Sequence, residues 1–525
     1  MKTRSRILYA ALLIQLVLSF SLLAPSQVAG AATIYRVIPA GKTSGECGDT
    51  WLNGCALQYA LTTKAVTGDE LWVKMGTYKP TGNEPEPRVN SIVLKAGVSL
   101  YGGFAGTETE RTQRNWQANP TILSGDLNGD DGPNFGNIAD NSFHVVKSNS
   151  VGSLTILDGF TIRGGNATSV NTQQRLGGGM YSLSSCPTLT NIQFYSNAAQ
   201  NDGGGLYAAC NNTPVFTNLT FSGNRAGRKG GGLYNDYYDQ PGQIIINYAV
   251  FADNFAVGGG GGMYEDQAYS TLTNVRFIHN SANFAGGIII DINFGGSSKL
   301  TNVIFDGNTA TDIGGGIYVY GSSPNLTNVI FTNNTANDYN YSGGGGMGNY
   351  DSRPVLTNVT FSDNNASRGG AIYNFGSPSV GSHSVIRNSL LWGDTGGELF
   401  NVNSDSGTLI SYSIVQGCTP GGIWNLDCGT DGGYNLADEN PLFIDAANGD
   451  LHLRSDSPAL NQGYLGYLIG VFTDLDGNPR FIGGIPDLGA YEYQNNPPQV
   501  MDFSKNGPSD QEIIFNPVDF SSQFM

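Results

Sequence analysis

From about Gly177 to Tyr373 the chain repeats one pattern of apolar and polar positions: a glycine cluster, an apolar residue, usually Tyr, a variable loop, then Leu-Thr-Asn, Val-x-Phe and x-x-Asn-x-Ala. The Phe recurs at Phe194, Phe221, Phe251, Phe277, Phe305, Phe331 and Phe361, a period of 26 to 30 residues. Three positions after each stands an Asn, from Asn197 to Asn364, and two beyond that an Ala, from Ala199 to Ala366. A second Asn stands three before the Phe in most copies, as in Asn191, Asn218, Asn274, Asn302, Asn328 and Asn358, and in one copy it is read as displaced to Asn247. A period of this length marks a solenoid.

The segments between Gly, Asn and Pro are short and rich in Val, Ile, Thr and Phe, so they read as strands rather than helices. Val275 and Phe277 share one side of a strand, whereas Leu272 is three before Val275, so the parity changes at Thr273-Asn274. A left-handed corner at Asn274 restores it, and Asn enters that conformation cheaply. Each copy is then one turn of a coil, with Phe stacked over Phe inside and Asn over Asn at the bends, about 4.8 Å apart. The fold expected is all-β, a right-handed parallel β-helix. A leucine-rich horseshoe, the competing solenoid, would need regularly spaced leucines and a shorter period.

Phe-x-x-Asn alternating with Gly-Gly-[Ala/Gly]-[Ile/Leu/Met], as in Gly369-Gly370-Ala371-Ile372, resembles the repeats of the chlamydial polymorphic outer-membrane proteins over roughly residues 155 to 395. The resemblance implies a pectin-lyase-like solenoid that is secreted or surface-displayed, often adhesive, and it does not imply an enzyme. The segment from Val98 to Glu108 and the closing series from Asn440 to Glu492 resemble exported β-helix proteins of the choice-of-anchor type. That extends the likeness loosely over residues 34 to 493.

The flanks complete the expected organisation. Lys2, Arg4 and Arg6, an apolar run from Ile7 to Ala24, and Ala29-Gly30-Ala31 read as a signal peptide over residues 1–31. Residues 32–142 read as an N-terminal cap and irregular first coils, with a short capping helix around Ala56 to Ala65 that covers an otherwise open strand edge. Residues 143–395 are the repeated coils and 396–494 further C-terminal coils. Residues 495–525, after Asn495-Asn496-Pro497-Pro498, resemble the incomplete start of a cadherin-like or immunoglobulin-like module, so more domains are expected beyond residue 525. No second membrane-spanning segment is read after the signal.

Composition sharpens this picture. Gly, at 74 residues, is about twice its ordinary share and charged residues, at 13%, about half, as tight corners and stacking require. The net charge of −17 excludes nucleic acid as a partner. Six cysteines in an exported chain suggest disulfides. Cys47 with Cys55 and Cys418 with Cys428 would close local loops, and Cys186 and Cys210 fall at near-equivalent places in consecutive coils.

Four features bear on chemistry. Alignment on the glycine cluster puts Asn235, Glu265 and Asp291 at one position and Asp236 and Asp266 at the next, so four carboxylates are expected at one corner. Such a patch is solvated, holds calcium or saccharide, or works as an acid pair. Arg225, Arg228 and Lys229 lie close enough in sequence to face it, but a Gly-His-Gly hydrolase motif is absent. Asp126-x-Asn128-x-Asp130 and Asp474-x-Asp476-Gly477-Asn478 resemble calcium spacing and equally resemble ordinary turns. Tyr237, Tyr238, Tyr269, Tyr339, Tyr341 and Tyr350, in the variable loops, are candidates to face sugar rings. The expected function is a non-catalytic surface protein that contacts a polysaccharide or a cell-surface glycoprotein, with no required cofactor. The alternative is a polysaccharide lyase or glycoside hydrolase acting through the corner acids.

Overall fold

The computed structural model describes residues 32–494 apart from 238–242, 292–296, 338–342, 379, 403–405, 469 and 483. The segments read as a signal peptide and as the start of a further module, and Tyr238, Tyr339 and Tyr341, lie outside the described residues. The described residues form a parallel β-solenoid of three sheets, with 18, 11 and 7 strands, each running along the coil axis. Among the described residues no helix is long and apolar enough to cross a membrane.

The repeat and the coil coincide. Phe194 pairs in register with Phe221, and the pairing continues through Phe251, Phe277, Phe305 and Phe331 to Phe361 on the long sheet. All seven rings are fully buried. Successive centroids lie 4.4 to 4.9 Å apart, with near-parallel planes. Each ring therefore contributes burial of roughly 1.5–3 kcal/mol and a stacked contact to each neighbour.

The two Asn columns do different work. The Asn before the Phe is the corner: Asn191, Asn218, Asn274, Asn302, Asn328 and Asn358 all have φ between 52° and 58°. In the third copy the left-handed residue is Tyr248, with φ 57°, so the corner assigned to Asn247 is corrected by one position. The Asn after the Phe is buried in the interior and forms a ladder. Asn280 Nδ2 donates to Asn308 Oδ1 at 2.9 Å and to the Phe251 carbonyl at 2.8 Å, while Asn280 N donates to the same Asn308 oxygen at 3.0 Å. This pattern runs from Asn197 to Asn364 and ends on Asp394, whose Oδ1 accepts from Asn364 Nδ2 at 2.8 Å. The Ala positions stack in the narrow third sheet, and the glycine turns beside them are packed backbone to backbone. A Cβ on Gly232 would lie 2.6 Å from the Gly262 carbonyl oxygen, so the turn admits no side chain.

At the N-terminal end, Leu57–Tyr59 is helical and continues as a wider turn over Ala60–Lys64, burying Leu57, Ala60 and Leu61 in the main core. The first irregular coils supply Gly76–Tyr78, Ile92–Val93, Ser99–Phe104 and Thr121–Ser124. The three disulfides Cys47–Cys55, Cys186–Cys210 and Cys418–Cys428 are formed.

The C-terminal region differs from the coils read across 396–494. Coils continue to the strand Thr430–Asp431, the last in its sheet. The chain then returns along the outer face of the long sheet as a strap with one antiparallel pair, Phe443–Asp445 with Asp450–Leu453. Asn328 Nδ2 donates to the Thr473 carbonyl at 2.9 Å, Ala490 N donates to Thr360 Oγ1 at 2.9 Å, and Leu451, Leu475 and Ala490 pack on Ile330. Polar Thr360 and Asn328, on a strand face otherwise turned to water, thereby find backbone partners.

Candidate functional site

Outward positions of the second sheet form two columns. Tyr181, Tyr207, Tyr234, Tyr264, Ile289 and Tyr318 make one. Two residues further along each strand, Asp236, Asp266, Asp291, Tyr320, Tyr350 and Phe375 make the other. The register corrects the predicted acid corner, because Asp291 pairs with Asp266, while Glu265 pairs with Ile290 and points into the core. Asp291 follows its glycine pair by four residues, not three, and a shift of one reverses the face. Glu265 is fully buried, accepts from Ser298 Oγ at 2.5 Å and from Ser270 Oγ, and burial pushes its carboxyl up to about 7.

The three outward carboxylates are joined to the tyrosines of the preceding coil. Tyr207 donates its hydroxyl to Asp236, Tyr234 to Asp266, and Tyr264 to Asp291 at 3.0 Å. Lys229 Nζ lies 3.0 Å from Asp266 and 4.2 Å from the centre of the Tyr264 ring. Arg228 pairs with buried Asp202, and Arg225 lies over the Phe255 ring. Burial, and then the neighbouring acids, raise Asp236 to about 6, and burial also raises Asp291.

Beyond this ladder the tyrosine column breaks at Ile289, and the break opens a groove. An aliphatic side chain replaces a phenol ring there, and the adjacent turn carries Gly258 and Gly259, where a Cβ on Gly259 would lie 2.4 Å from Ile289 Cδ1. The result is a cavity of about 370 Å³ lined by Tyr264, Phe284, Ile289, Tyr318 and Tyr320, with Arg228, Lys229 and Asp291 at its polar edge. The aromatic lining continues outside it, since Tyr320 stacks on Tyr350 at 4.9 Å and Tyr350 meets Phe375 edge-on at 5.0 Å. An apolar wall with a few charged groups at one margin is the usual build of a small-ligand site.

The other predicted residues are placed as follows. Tyr350 belongs to this aromatic strip, Tyr237 is exposed beside the acid column, and Tyr269 packs partly against the main core. Asp126 and Asp130 do come together, and the third carboxylate within 4.8 Å is Asp140 rather than a group from Asn128. Asn128 instead gives its backbone N–H to Asp140 at 2.9 Å, and Asp126 is already acceptor to the amides of Gly129, Asp130 and Asp131. Asp474 is fully buried and accepts from the amides of Asp476, Asn478 and Glu492, while Asp476 turns away to His452 at 2.7 Å. That second loop is therefore a hydrogen-bonded turn and not a set of converging ligands. Phe284, Ile289, Tyr318 and Tyr320 were absent from the predicted site. The available signal was Ile289 standing, like Gly348, where other coils carry tyrosine.

A family model for the Chlamydia polymorphic membrane protein repeat matches residues 218–236, 302–320 and 358–374. The chain is a β-helix protein with repeats similar to those of that family. Each matched segment of the first two runs from a corner Asn through the Phe, the ladder Asn and the glycine turn to an outward residue of the second sheet, Asp236 or Tyr320. No curated protein matches the chain. Among solved structures, that of pectate lyase Pel9A is similar at 13% identity and a TM-score of 0.37, covering 89% of this chain and 98% of that one.

Proposed function

We propose that this chain is an exported surface β-helix protein that holds glycan chains, free or on a glycoprotein, against the outer face of its second sheet without cleaving them. The groove at the Ile289 break carries the reading: flat aromatic faces suit the apolar side of a pyranose, and Lys229, Arg228 and Asp291 can take hydroxyls at one edge. Three disulfides support export into an oxidising compartment. The reading needs no cofactor, and with a net charge of −17 it excludes nucleic acid. The test is a glycan array probed with the secreted protein and with Tyr320→Ala. Binding reduced by about ten-fold in the variant, roughly 1.4 kcal/mol, is expected, and unchanged binding would count against the groove.

Glycoside hydrolysis is the second reading, and one observation favours it. Burial raises Asp236 to about 6, so it is disposed to keep a proton, and Asp266 stands at the same register position of the next coil with Lys229 Nζ 3.0 Å away. Each, however, is also engaged by a tyrosine hydroxyl, and neither lines the aromatic groove. New reducing ends that disappear with Asp266→Asn would establish this reading.

A further inference from the structure

The corner column of the long sheet changes character at its C-terminal end. Asn388 N donates to the Ser411 carbonyl and Tyr412 N to the Gly433 carbonyl, so Asn388, Tyr412 and Tyr434 are equivalent corners of consecutive coils. All three are left-handed, with φ of 47°, 50° and 60°. Asn takes that conformation readily, but a bulky aromatic residue rarely does, and here two occur in succession. Their rings stack at 4.6 Å with planes 16° apart.

The strap adds to the stack. Tyr464 lies 5.1 Å from Tyr412 with planes 23° apart, and Tyr467 closes edge-on against both. The joint is rigid: Asn388 Oδ1 accepts from Tyr464 N at 2.9 Å, Asn388 Nδ2 donates to the Tyr464 carbonyl at 3.2 Å, and the Arg387 guanidinium lies 4.8 Å from the Tyr467 ring centre. Despite this packing, Tyr434 is 75% exposed and Tyr464 47%. The strand preceding Tyr434 is the last of its sheet, so among the described residues no further corner residue continues the column past its ring.

We infer that Tyr434, Tyr412 and Tyr464 form a second saccharide platform, on which a neutral pyranose unit stacks at the open end of the ring column. A rigid ring pays little entropy on binding, and its flat apolar face accepts the C–H face of a sugar. The polar margin has Asp431, which accepts from Gly433 N and Asn435 Nδ2 at 2.8 Å each, and which can take sugar hydroxyls through its remaining lone pairs. That carboxylate, on a chain of net charge −17, favours a neutral glycan over a uronate. The platform is on the long sheet and does not depend on the groove of the second sheet.

Affinity electrophoresis of the full secreted chain through gels of soluble β-glucan, galactomannan and xylan, with polygalacturonate as the acidic arm, tests this. The key variant is Tyr434→Asn, which installs the residue that most other coils use at this corner and so preserves the fold. Wild type is expected to be retarded by at least one neutral polymer, Tyr434→Asn to bind it about ten-fold more weakly, and Tyr248→Asn, the same exchange at the left-handed corner of another coil, to bind it like wild type. Retardation of Tyr434→Asn equal to wild type, retardation by polygalacturonate alone, or no retardation of wild type would each overturn the inference. A loss confined to Tyr320→Ala would leave the groove standing and remove the platform.

Discussion

Asp394 is the residue at which the interior pattern changes sign. Seven coils in a row place an Asn amide in the ladder, and the eighth offers a carboxyl whose Oδ1 takes the same two N–H groups from Asn364. Its Oδ2, where an amide nitrogen would sit, is buried with Glu398 Oε2, and these two acceptor oxygens can be joined only by a proton held between the carboxyls. Asp394→Asn would complete the ladder by supplying a donor in place of that oxygen. The variant is expected to be more stable than wild type at pH 8 by about 1–2 kcal/mol, read by urea denaturation followed at the C-terminal coils. Inside the ladder the reverse holds. Asn308→Ala removes both the acceptor used by Asn280 and the donor to the Phe277 carbonyl, and should cost about 2–4 kcal/mol. Phe277→Ala, in the ring column, should cost about 3–5 kcal/mol, and both losses are measurable as faster local hydrogen exchange in the flanking coils.

At the scale of elements, buried titratable groups make both the coils and the strap lose stability as pH rises, with the His452 term of the strap persisting to higher pH than the carboxyl terms of the coils. Burial raises Glu265 to about 7 and Asp394 to about 6, and raises Glu398 well above the usual carboxylate range, with Asp394 adding to it. A raised carboxyl binds its proton more tightly in the folded state, so the stability it contributes is full below the unfolded value near 4 and is lost as pH rises through 6 and 7. Hydrogen exchange over 390–401, corrected for intrinsic rate, should therefore be slower at pH 5 than at pH 8, and Asp394→Asn should shrink the difference. In the strap, His452 donates toward Asp450 at 2.6 Å and Asp476 at 2.7 Å and is raised to about 9, while Asp450 is lowered by the same contact. The His term is full below about 6.5 and disappears as pH rises through 9. The Asp450 term is lost as pH falls below its lowered value. His452→Ala should accordingly raise protease cleavage of the strap at pH 7 and leave cleavage at pH 10 close to that of wild type.

The elements also show where sequence reading reached and where it stopped. Phe spacing and corner Asn274 were legible because parallel stacking imposes the same residue on every coil, and the short N-terminal helix because Leu57, Ala60 and Leu61 recur at helical spacing and are buried together. The strap was not, because Asn440 to Glu492 has no repeat, and its docking depends on single contacts such as Thr360 with Ala490 and Asn328 with Thr473. The acid corner was legible in part. Asp236 and Asp266 are paired in register, but Glu265 and Asp291, counted to one shared position, fall on opposite faces through a count of one residue, which a period of two does not forgive. The groove escaped because it is made by an interruption, Ile289, and by Tyr320 and Tyr350 succeeding the Asp column, and neither belongs to the repeated pattern.

For the whole molecule, a column of coils gives a long surface, and the contacts proposed here fall where its stacked residues change type: Tyr to Ile at residue 289, Asp to Tyr at residue 320, and Asn to Tyr at residues 412 and 434. The interior carries stability and the outer columns carry contact, so variants of the two classes should separate cleanly, with Phe277→Ala lowering stability and Tyr320→Ala lowering binding at unchanged stability. The most direct measurement incubates the purified chain with a panel of neutral and acidic polysaccharides, recording complex formation and new reducing or unsaturated ends in the same samples. Binding that weakens about ten-fold with Tyr320→Ala, with no new ends over any polymer, is the result expected. Chain ends that accumulate with wild type and vanish with Asp266→Asn would contradict it.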